Sequence, residues 1–150
     1  MFSFLSVIKD LASGEVIAWR LSKTMDLDLV LNTINDLEKY FKDNNLDLSK
    51  LLLHSDQGFQ YTNLAYYNKL KKLKITQSMS RKGNSVDNAP IESFFSHFKD
   101  EVEYKHLNFK QVHNLIGKYM LKYNYKRKQW SRMRLAPVHY RNYLLNFALK

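Results

Sequence analysis

Hydrophobic and polar residues alternate along this chain with two different periods. Four short runs rich in apolar residues have the length of strands, at Phe2–Ile8, Glu15–Leu21, Leu51–Asp56 and Ile75–Met79. Four longer segments repeat apolar residues at helical spacing, near residues 25–43, 63–73, 89–102 and 109–125. A pair of strands followed by strands that alternate with helices predicts an α/β domain with one mixed sheet and helices on its faces.

Polar segments set the boundaries of these elements. Asp10–Gly14 contains turn-forming residues, so the first two strands are predicted to form a hairpin. Thr24 is the predicted cap of the first helix. Residues 57–62 and 80–88 are predicted loops. We divide the chain into a core, residues 1–104, and a basic helical extension, residues 105–150, that packs on this core; the last helix delimited in the extension spans Phe109–Tyr125.

Length and composition narrow the class of protein. A chain of 150 residues suits one domain with a real core. It contains no cysteine, which excludes a disulfide framework and a thiolate zinc site. No apolar run has transmembrane length, and no secretory signal is evident. We therefore expect a cytoplasmic protein that does not use a membrane.

Charge is distributed unevenly between the two parts of the chain. The net charge is +10, yet residues 1–103 contain all 14 acidic residues and only 13 of the 24 basic ones. Residues 104–150 contain 11 basic residues and no acidic residue. Such a basic segment is typical of proteins that bind DNA or another polyanion, although an idle basic surface has the same composition.

Two carboxylates occupy positions suited to metal binding. Asp56 ends the third predicted strand, where ligands of open α/β sheets gather, and Glu92 opens a predicted helix 36 positions later. Carboxylate oxygens suit Mg²⁺, which takes one or two of them together with substrate phosphate. Each acid also has a purely structural interpretation, since aspartate caps loops and glutamate stabilises a helix N-terminus.

Other residues leave two interpretations open. Arg81, Lys82 and Asn84 belong to a polar loop that either holds a phosphate or is only solvated. Trp130 lies among basic residues and either stacks on a base or packs against a helix, and the second is favoured. His54 is favoured as a half-buried strand residue over one that orients metal-bound water.

Two longer motifs carry a family resemblance. His54–Tyr61 reads HSDQGFQY, and Ser78–Phe95 reads SMSRKGNSVDNAPIESFF. Both closely resemble the transposases of bacterial insertion sequences in the retroviral-integrase superfamily, whose signature resembles HSD-x-G-x-QY followed by SMSRKGN-x-x-DNAP-x-ESFF. The resemblance spans essentially the whole chain and includes, near its end, Tyr123-Asn124, Arg127, Pro137 and Tyr140-Arg141.

The resemblance implies a ribonuclease-H-like fold and a site of three acidic ligands for two Mg²⁺ or Mn²⁺ ions. Asp56 matches the second ligand and Glu92 the third, and Lys99 matches a basic position that faces DNA. The implied function is DNA strand cleavage and strand transfer at insertion-sequence ends, by a homo-oligomer or together with a full-length transposase. We add Arg81, Lys82, Asn84, Lys126 and Arg127 as expected DNA contacts.

The chain departs from this family on its N-terminal side. The family's first acidic ligand lies in a strand that would precede Met1, and Asp10 matches an aspartate that is not a ligand. We therefore expect a fold that is incomplete at its N-terminal edge, and a chain that is inactive alone. The alternative is a non-catalytic DNA-binding remnant that modulates a full-length transposase.

Overall fold

The fold is taken from a computed structural model that describes residues 3–81 and 89–148. The strands are β1 (Phe4–Lys9), β2 (Val16–Ser22), β3 (Leu52–Ser55) and β4 (Thr76–Met79). The α-helices are α1 (Leu27–Asp43), α2 (Phe59–Thr62), α3 (Leu64–Lys72), α4 (Ala89–Glu101), α5 (Phe109–Lys126) and α6 (Pro137–Ala148). None of the helices in these two ranges is long and apolar enough to cross a membrane.

β1 and β2 form the predicted hairpin. They pair antiparallel, with a bulge between Ile8 and Lys9. In the turn between them, the Asp10 carboxylate accepts hydrogen bonds from the backbone N–H and the hydroxyl of Ser13, at 3.0 and 2.6 Å. Gly14 follows with a φ of +84°, a conformation that favours glycine. The residues that predicted the turn are therefore the residues that make it.

β3 and β4 pair in parallel, with Leu52 opposite Thr76 and Ser55 opposite Met79. Within the described ranges, this pair and the β1–β2 hairpin are two separate two-stranded sheets instead of the one predicted mixed sheet. Both pairing directions of a mixed sheet are present, but no described strand joins β1 to β3. One edge of each strand therefore lacks a strand partner for its backbone groups.

α1 and α3 cover the first hydrophobic core, and the apolar face predicted for α1 is confirmed. Its buried members come from β2, α1, α3 and the segment before β4: Ala18, Val30, Ile34, Leu37, Phe41, Tyr66, Leu70 and Ile75. The predicted cap of α1 is wrong, because Asp26 accepts the N–H of Leu29 at 3.1 Å. Thr24 instead donates its hydroxyl to Asp26 at 2.8 Å. A carboxylate also favours the positive end of the helix dipole, which explains why Asp26 occupies this position.

α4 and α5 build a second core. The predicted stripe on α4 is confirmed, since Phe94, Phe98 and Val102 are buried against α5. Leu5 and Val7 of β1 pack against this second core, whereas Ile8 packs against the first. Because successive side chains of a strand point to opposite faces, the hairpin lies between the two cores. The result is a layered α/β fold.

Two helices were not predicted. Residues 59–62, expected as a loop, form the single turn α2, and α6 extends from Pro137 to Ala148 in the basic tail. Proline suits the first turn of a helix, and Pro137 and Val138 are buried there. The other apolar residues of α6 are interspersed with polar ones, so the segment shows no clear helical stripe in the sequence.

Two polar contacts attach the last helices to the hairpin. Arg141 of α6 donates from Nη1 to both carboxylate oxygens of Glu15, at 2.7 and 2.8 Å, and to the Tyr40 hydroxyl at 2.6 Å. Glu15 is only 5% exposed. On α5, the Asn124 amide accepts the Val16 N–H at 2.9 Å and donates to the Val16 carbonyl at 3.0 Å. Both contacts join residues more than 100 positions apart.

Candidate functional site

Asp56 lies directly after β3 and is exposed to solvent. Its Oδ1 atom accepts the backbone N–H of Gly58 at 2.8 Å, which closes a tight turn and orients the carboxylate. A Cβ atom at position 58 would lie 3.0 Å from this same oxygen. A side chain at this position would therefore press on the Asp56 carboxylate, which would have to shift by a few tenths of an ångström.

His54 links β3 to β4 and to the residue after β4 through hydrogen bonds beside this turn. One ring nitrogen is hydrogen-bonded to the Ser78 hydroxyl at 2.9 Å and the other to the Ser80 hydroxyl at 3.0 Å. Gln57 adds a hydrogen bond from its amide to the Ser80 carbonyl at 3.0 Å. His54 lies in β3 but is exposed, so the half-buried position predicted for it is wrong. Both ring nitrogens are nevertheless engaged with protein, which supports a structural role. The sequence offers one signal for this contact, namely two serines two positions apart, Ser78 on β4 and Ser80 directly after it.

The turn of α2 follows Asp56 in the chain and is attached to β4 and α3. Gln77 of β4 donates its amide to the Tyr61 carbonyl at 2.9 Å. The Tyr61 ring packs edge-on against the buried Tyr66, with the ring centroids 5.4 Å apart. Burial raises the pKa of Tyr61, and the negative charge of Asp56 raises it further. Tyr61 is therefore a neutral phenol at physiological pH.

Glu92 lies in the first turn of α4 and is exposed, whereas Phe94 and Phe98 anchor that helix with 1% and 8% exposure. Lys99 is exposed in the last turn, seven positions further along. Seven residues are about two turns of a helix, so Glu92 and Lys99 lie on one side of α4. Within the described residues, no hydrogen bond or ion pair links α4 to Asp56, and the meeting of Asp56 and Glu92 stays a prediction.

The other expected DNA contacts fall into three groups. Arg81 is exposed directly after the buried Ser80, whereas Lys82 and Asn84 lie outside the described residues. Lys126 is exposed at the end of α5. Arg127 forms an ion pair with Glu101 at 2.6 Å, so its charge is partly neutralised within the protein.

The donor chemistry of the two acids suits a hard divalent cation. Both carboxylates are exposed and carry the oxygen donors that Mg²⁺ and Mn²⁺ prefer. Over residues 3–81 and 89–148, however, no three acidic or histidine side chains lie close enough together to hold a metal ion. Asp10, whose carboxylate is bonded to Ser13, belongs to the hairpin turn. The donor chemistry of Asp56 and Glu92 suits such a cation, and a site that they share stays a prediction.

Comparison with protein families gives one consistent result. Two models described as Integrase core domain match the chain, the first over residues 1–85 and the second over residues 73–137. Together they cover the strands, the Asp56 turn and α4.

Curated relatives are bacterial. The chain is 38% identical over 145 residues to an uncharacterised transposase-like protein of Haemophilus influenzae, covering 95% of this chain and 65% of that protein. It is 39% identical over 141 residues to InsK of Escherichia coli, which is named for insertion sequence element IS150, covering 93% of this chain and 48% of InsK. The transposase for insertion sequence element IS904 of Lactococcus lactis is 36% identical over 99 residues, which are 66% of this chain and 38% of that protein. The chain thus spans about two fifths to two thirds of the length of these relatives.

Solved structures share the fold at low sequence identity. The catalytic core domain of BIV integrase matches with a TM-score of 0.67 and 17% identity, covering 99% of this chain and 91% of that one. A chain of the simian T-cell lymphotropic virus intasome, solved in complex with the PP2A regulatory subunit B56 gamma, matches with a TM-score of 0.62 and 15% identity, covering 83% of this chain and 43% of that one. The predicted ribonuclease-H-like fold is confirmed.

Proposed function

The chain belongs to the integrase core domain family, among the relatives of insertion-sequence transposases, and we propose that it serves metal-dependent DNA strand cleavage and strand transfer in transposition. The observation that carries this proposal is the Asp56 turn, in which a glycine N–H orients an exposed carboxylate at the carboxyl end of β3. The turn belongs to the motif that resembles the family's second metal ligand.

The proposed roles of the chain's residues follow from their positions. Asp56 and Glu92 hold the metal, while His54 keeps the end of β3 in register with β4. When bound, Mg²⁺ or Mn²⁺ neutralises phosphate charge and activates the attacking oxygen, and the complete site takes two ions. A water molecule and then a DNA 3′-hydroxyl attack a phosphodiester in line, and the protein contributes position and charge instead of a covalent nucleophile. Lys99 and Lys126 are free of ion pairs among the described contacts and suit DNA phosphates.

The proposal includes a third carboxylate from a further strand, so the 150-residue chain is inactive alone. Asp56 and Glu92 have no third acidic partner among the described residues, and Asp10 is engaged in the hairpin turn. The open edges of β1 and β3 would be satisfied by a strand placed between them. That strand is expected to come from an upstream segment or from a full-length transposase in the same oligomer.

A strand-transfer assay with matching element ends and Mg²⁺ or Mn²⁺ tests this function. It compares the 150-residue chain with a protein extended upstream by the aspartate-bearing strand, and only the extended protein is expected to be active. In the extended protein, Asp56→Asn and Glu92→Gln should each lower strand-transfer activity at least about 100-fold, because a hard cation loses a charged ligand. Asp47→Asn is the matched control, since Asp47 makes the same kind of turn on Ser49, at 2.9 Å, away from the site.

Two results would contradict the proposal in different ways. Full activity in the extended Asp56→Asn variant would remove Asp56 from the site. Activity in the short chain that disappears with Asp56→Asn would show that no added strand is needed, and Asp10 would become the leading candidate for the third ligand.

A second function is favoured by the distribution of charge. Residues 104–150 carry 11 basic and no acidic side chains, which is enough for DNA binding without catalysis. Such a chain would reduce transposition by a full-length transposase. An extended protein that binds DNA but supports no strand transfer, together with inhibition when the short chain is added to a full-length transposase, would favour this function.

A further inference from the structure

Trp130 is the most exposed large hydrophobic residue in the described part of the chain. Its exposure is 78%, and it lies in the loop between α5 and α6. The sequence favoured a packing role for this indole, and that prediction is wrong, because the ring does not pack into either core. An indole left in solvent offers its aromatic surface to a ligand.

The loop that carries Trp130 is held rigidly. Gln129 and Leu135 close it as an isolated β-bridge, with the Gln129 N–H bonded to the Leu135 carbonyl at 3.2 Å. Met133 and Arg134 have φ values of 56° and 60°, a strained conformation for residues other than glycine. Such strain persists only where the surroundings hold the backbone in place.

Arg132 supplies much of that support from within the loop. Its guanidinium donates to the carbonyls of Leu11 and Ala12 in the β1–β2 turn, at 2.8 and 3.0 Å, and to the Gln129 side chain at 2.9 Å. Gln129 donates in turn to the Ser13 carbonyl at 2.8 Å. The loop is thus tied to the hairpin at several points, and the indole is presented to solvent by an anchored backbone.

Positive charge surrounds the exposed ring. The Arg134 guanidinium lies over the indole, 4.6 Å from its centroid. Burial lowers the pKa of Lys9 at the end of β1, and the charges of Arg132 and Arg127 lower it further, so several cations lie near one another here. The surrounding segment, residues 104–150, contains no acidic residue.

We propose that Trp130 and Arg134 form a stacking platform for an unpaired base of single-stranded DNA. An aromatic face stacks on any base, and neighbouring cations hold the backbone phosphates, which together make a sequence-tolerant single-strand site. The cationic surroundings favour a polyanion over an apolar protein surface as the occupant. The inference rests on the proposed function in taking DNA as the ligand, and it adds a contact that lies outside the Asp56 turn and α4.

Binding of labelled oligo(dT) and of a labelled duplex, followed by fluorescence anisotropy at two salt concentrations, tests the platform. Trp130→Ala should weaken oligo(dT) binding by about 5- to 100-fold and duplex binding much less, because only unpaired bases expose their faces for stacking. Both ligands should bind more weakly at higher salt. The matched control is Phe147→Ala, which removes an aromatic side chain that is 71% exposed on α6.

Intrinsic fluorescence gives a second measurement that is independent of affinity. The chain has two tryptophans, and Trp19 lies beside the His113 ring, with the centroids 5.0 Å apart. In a Trp19→Phe variant, oligo(dT) should quench the remaining indole, whereas in Trp130→Phe it should not.

Each outcome decides the matter. The stacking platform is overturned if Trp130→Ala binds oligo(dT) as tightly as the parent chain does. It is also overturned if saturating oligo(dT) does not quench Trp130 in the Trp19→Phe variant. Either result leaves the proposed DNA binding itself intact. If the chain binds no DNA at low salt, both the stacking platform and the proposed role in DNA transposition are overturned. Quenching that depends on protein concentration without DNA would show that Trp130 faces a second copy of the chain instead.

Discussion

Replacing Arg141 by methionine tests whether the buried ion pair with Glu15 holds α6 on the core. The substitution keeps an unbranched side chain of similar length but removes the guanidinium. Glu15 would then keep only the 3.3 Å hydrogen bond from Tyr40 inside a site where its side chain is 7% exposed. A buried carboxylate without its cation is costly, so the folded state should lose stability.

The magnitude follows from how deeply each partner is buried. Breaking a fully buried ion pair costs about 3–5 kcal/mol. The Arg141 side chain is 29% exposed, so water relieves part of this cost, and we expect about 2–3 kcal/mol at neutral pH. In a domain of this size, that corresponds to a fall in Tm of about 4–12 °C.

The dependence on pH provides a sharper test. Burial raises the pKa of Glu15 in the folded protein, and Arg141 opposes this by lowering it. A raised folded-state pKa means that Glu15 favours folding below its unfolded-state pKa and that this contribution is lost as pH rises through the folded-state value. Without Arg141 the folded-state pKa of Glu15 rises further. The loss in free energy of unfolding caused by Arg141→Met should therefore grow as pH increases above about 4.5, and it should shrink to about 1 kcal/mol below that pH.

Urea unfolding followed by circular dichroism at pH 4 and pH 7 measures both effects. Arg20→Met is the matched control, since its ion pair with Asp36 is largely exposed and should contribute less than about 1 kcal/mol. Adding Glu15→Gln to Arg141→Met should restore part of the stability, because no buried charge remains. The reasoning is refuted if Arg141→Met costs no more than Arg20→Met, or costs the same at both pH values.

Two further predictions concern the Asp56 turn and α5. Gly58→Ala should change the free energy of unfolding by less than about 1 kcal/mol, because position 58 has a φ of −55° that alanine adopts. It should nevertheless reduce strand transfer by the extended protein about 10- to 100-fold, because the added methyl group would displace the Asp56 carboxylate. Activity equal to that of the parent protein would show that this close approach does not matter for strand transfer. Asn124→Ala should lower the free energy of unfolding in urea by about 2–4 kcal/mol, because the buried Val16 loses partners for its N–H and its carbonyl. Asn114→Ala, an exposed change on the same helix, is its control and should have little effect.

Local signals in the sequence predicted most of the fold. The hairpin turn and the apolar faces of α1 and α4 depend on residues close together in the chain, so spacing alone located them. The cap of α1 was misassigned because Thr24 and Asp26 are both good caps, and only the hydrogen bond from the Leu29 N–H to Asp26 shows which one caps the helix.

Long-range contacts explain what the sequence did not predict. α6 is attached through Glu15, 126 positions away, and no local pattern reports that partner. The loop that carries Trp130 is attached through hydrogen bonds of Arg132 to the β1–β2 turn, about 120 positions away. For the candidate site, the residues of the Asp56 motif identified the chemistry by resemblance, but the glycine approach and the brace at His54 required coordinates.

The contacts between the hairpin and the last helices also set the order of events during synthesis. A ribosome adds about 5–20 residues per second, so Glu15 waits about 6–25 s for Arg141 to be made. Throughout that time the emerging hairpin lacks the contacts that Arg132 and Arg141 provide. A nonsense mutation after Lys126 would spare every residue of both acidic motifs and still remove Arg132 and Arg141. The segment after Lys126 lies outside both acidic motifs, yet two of the contacts that hold the hairpin depend on it.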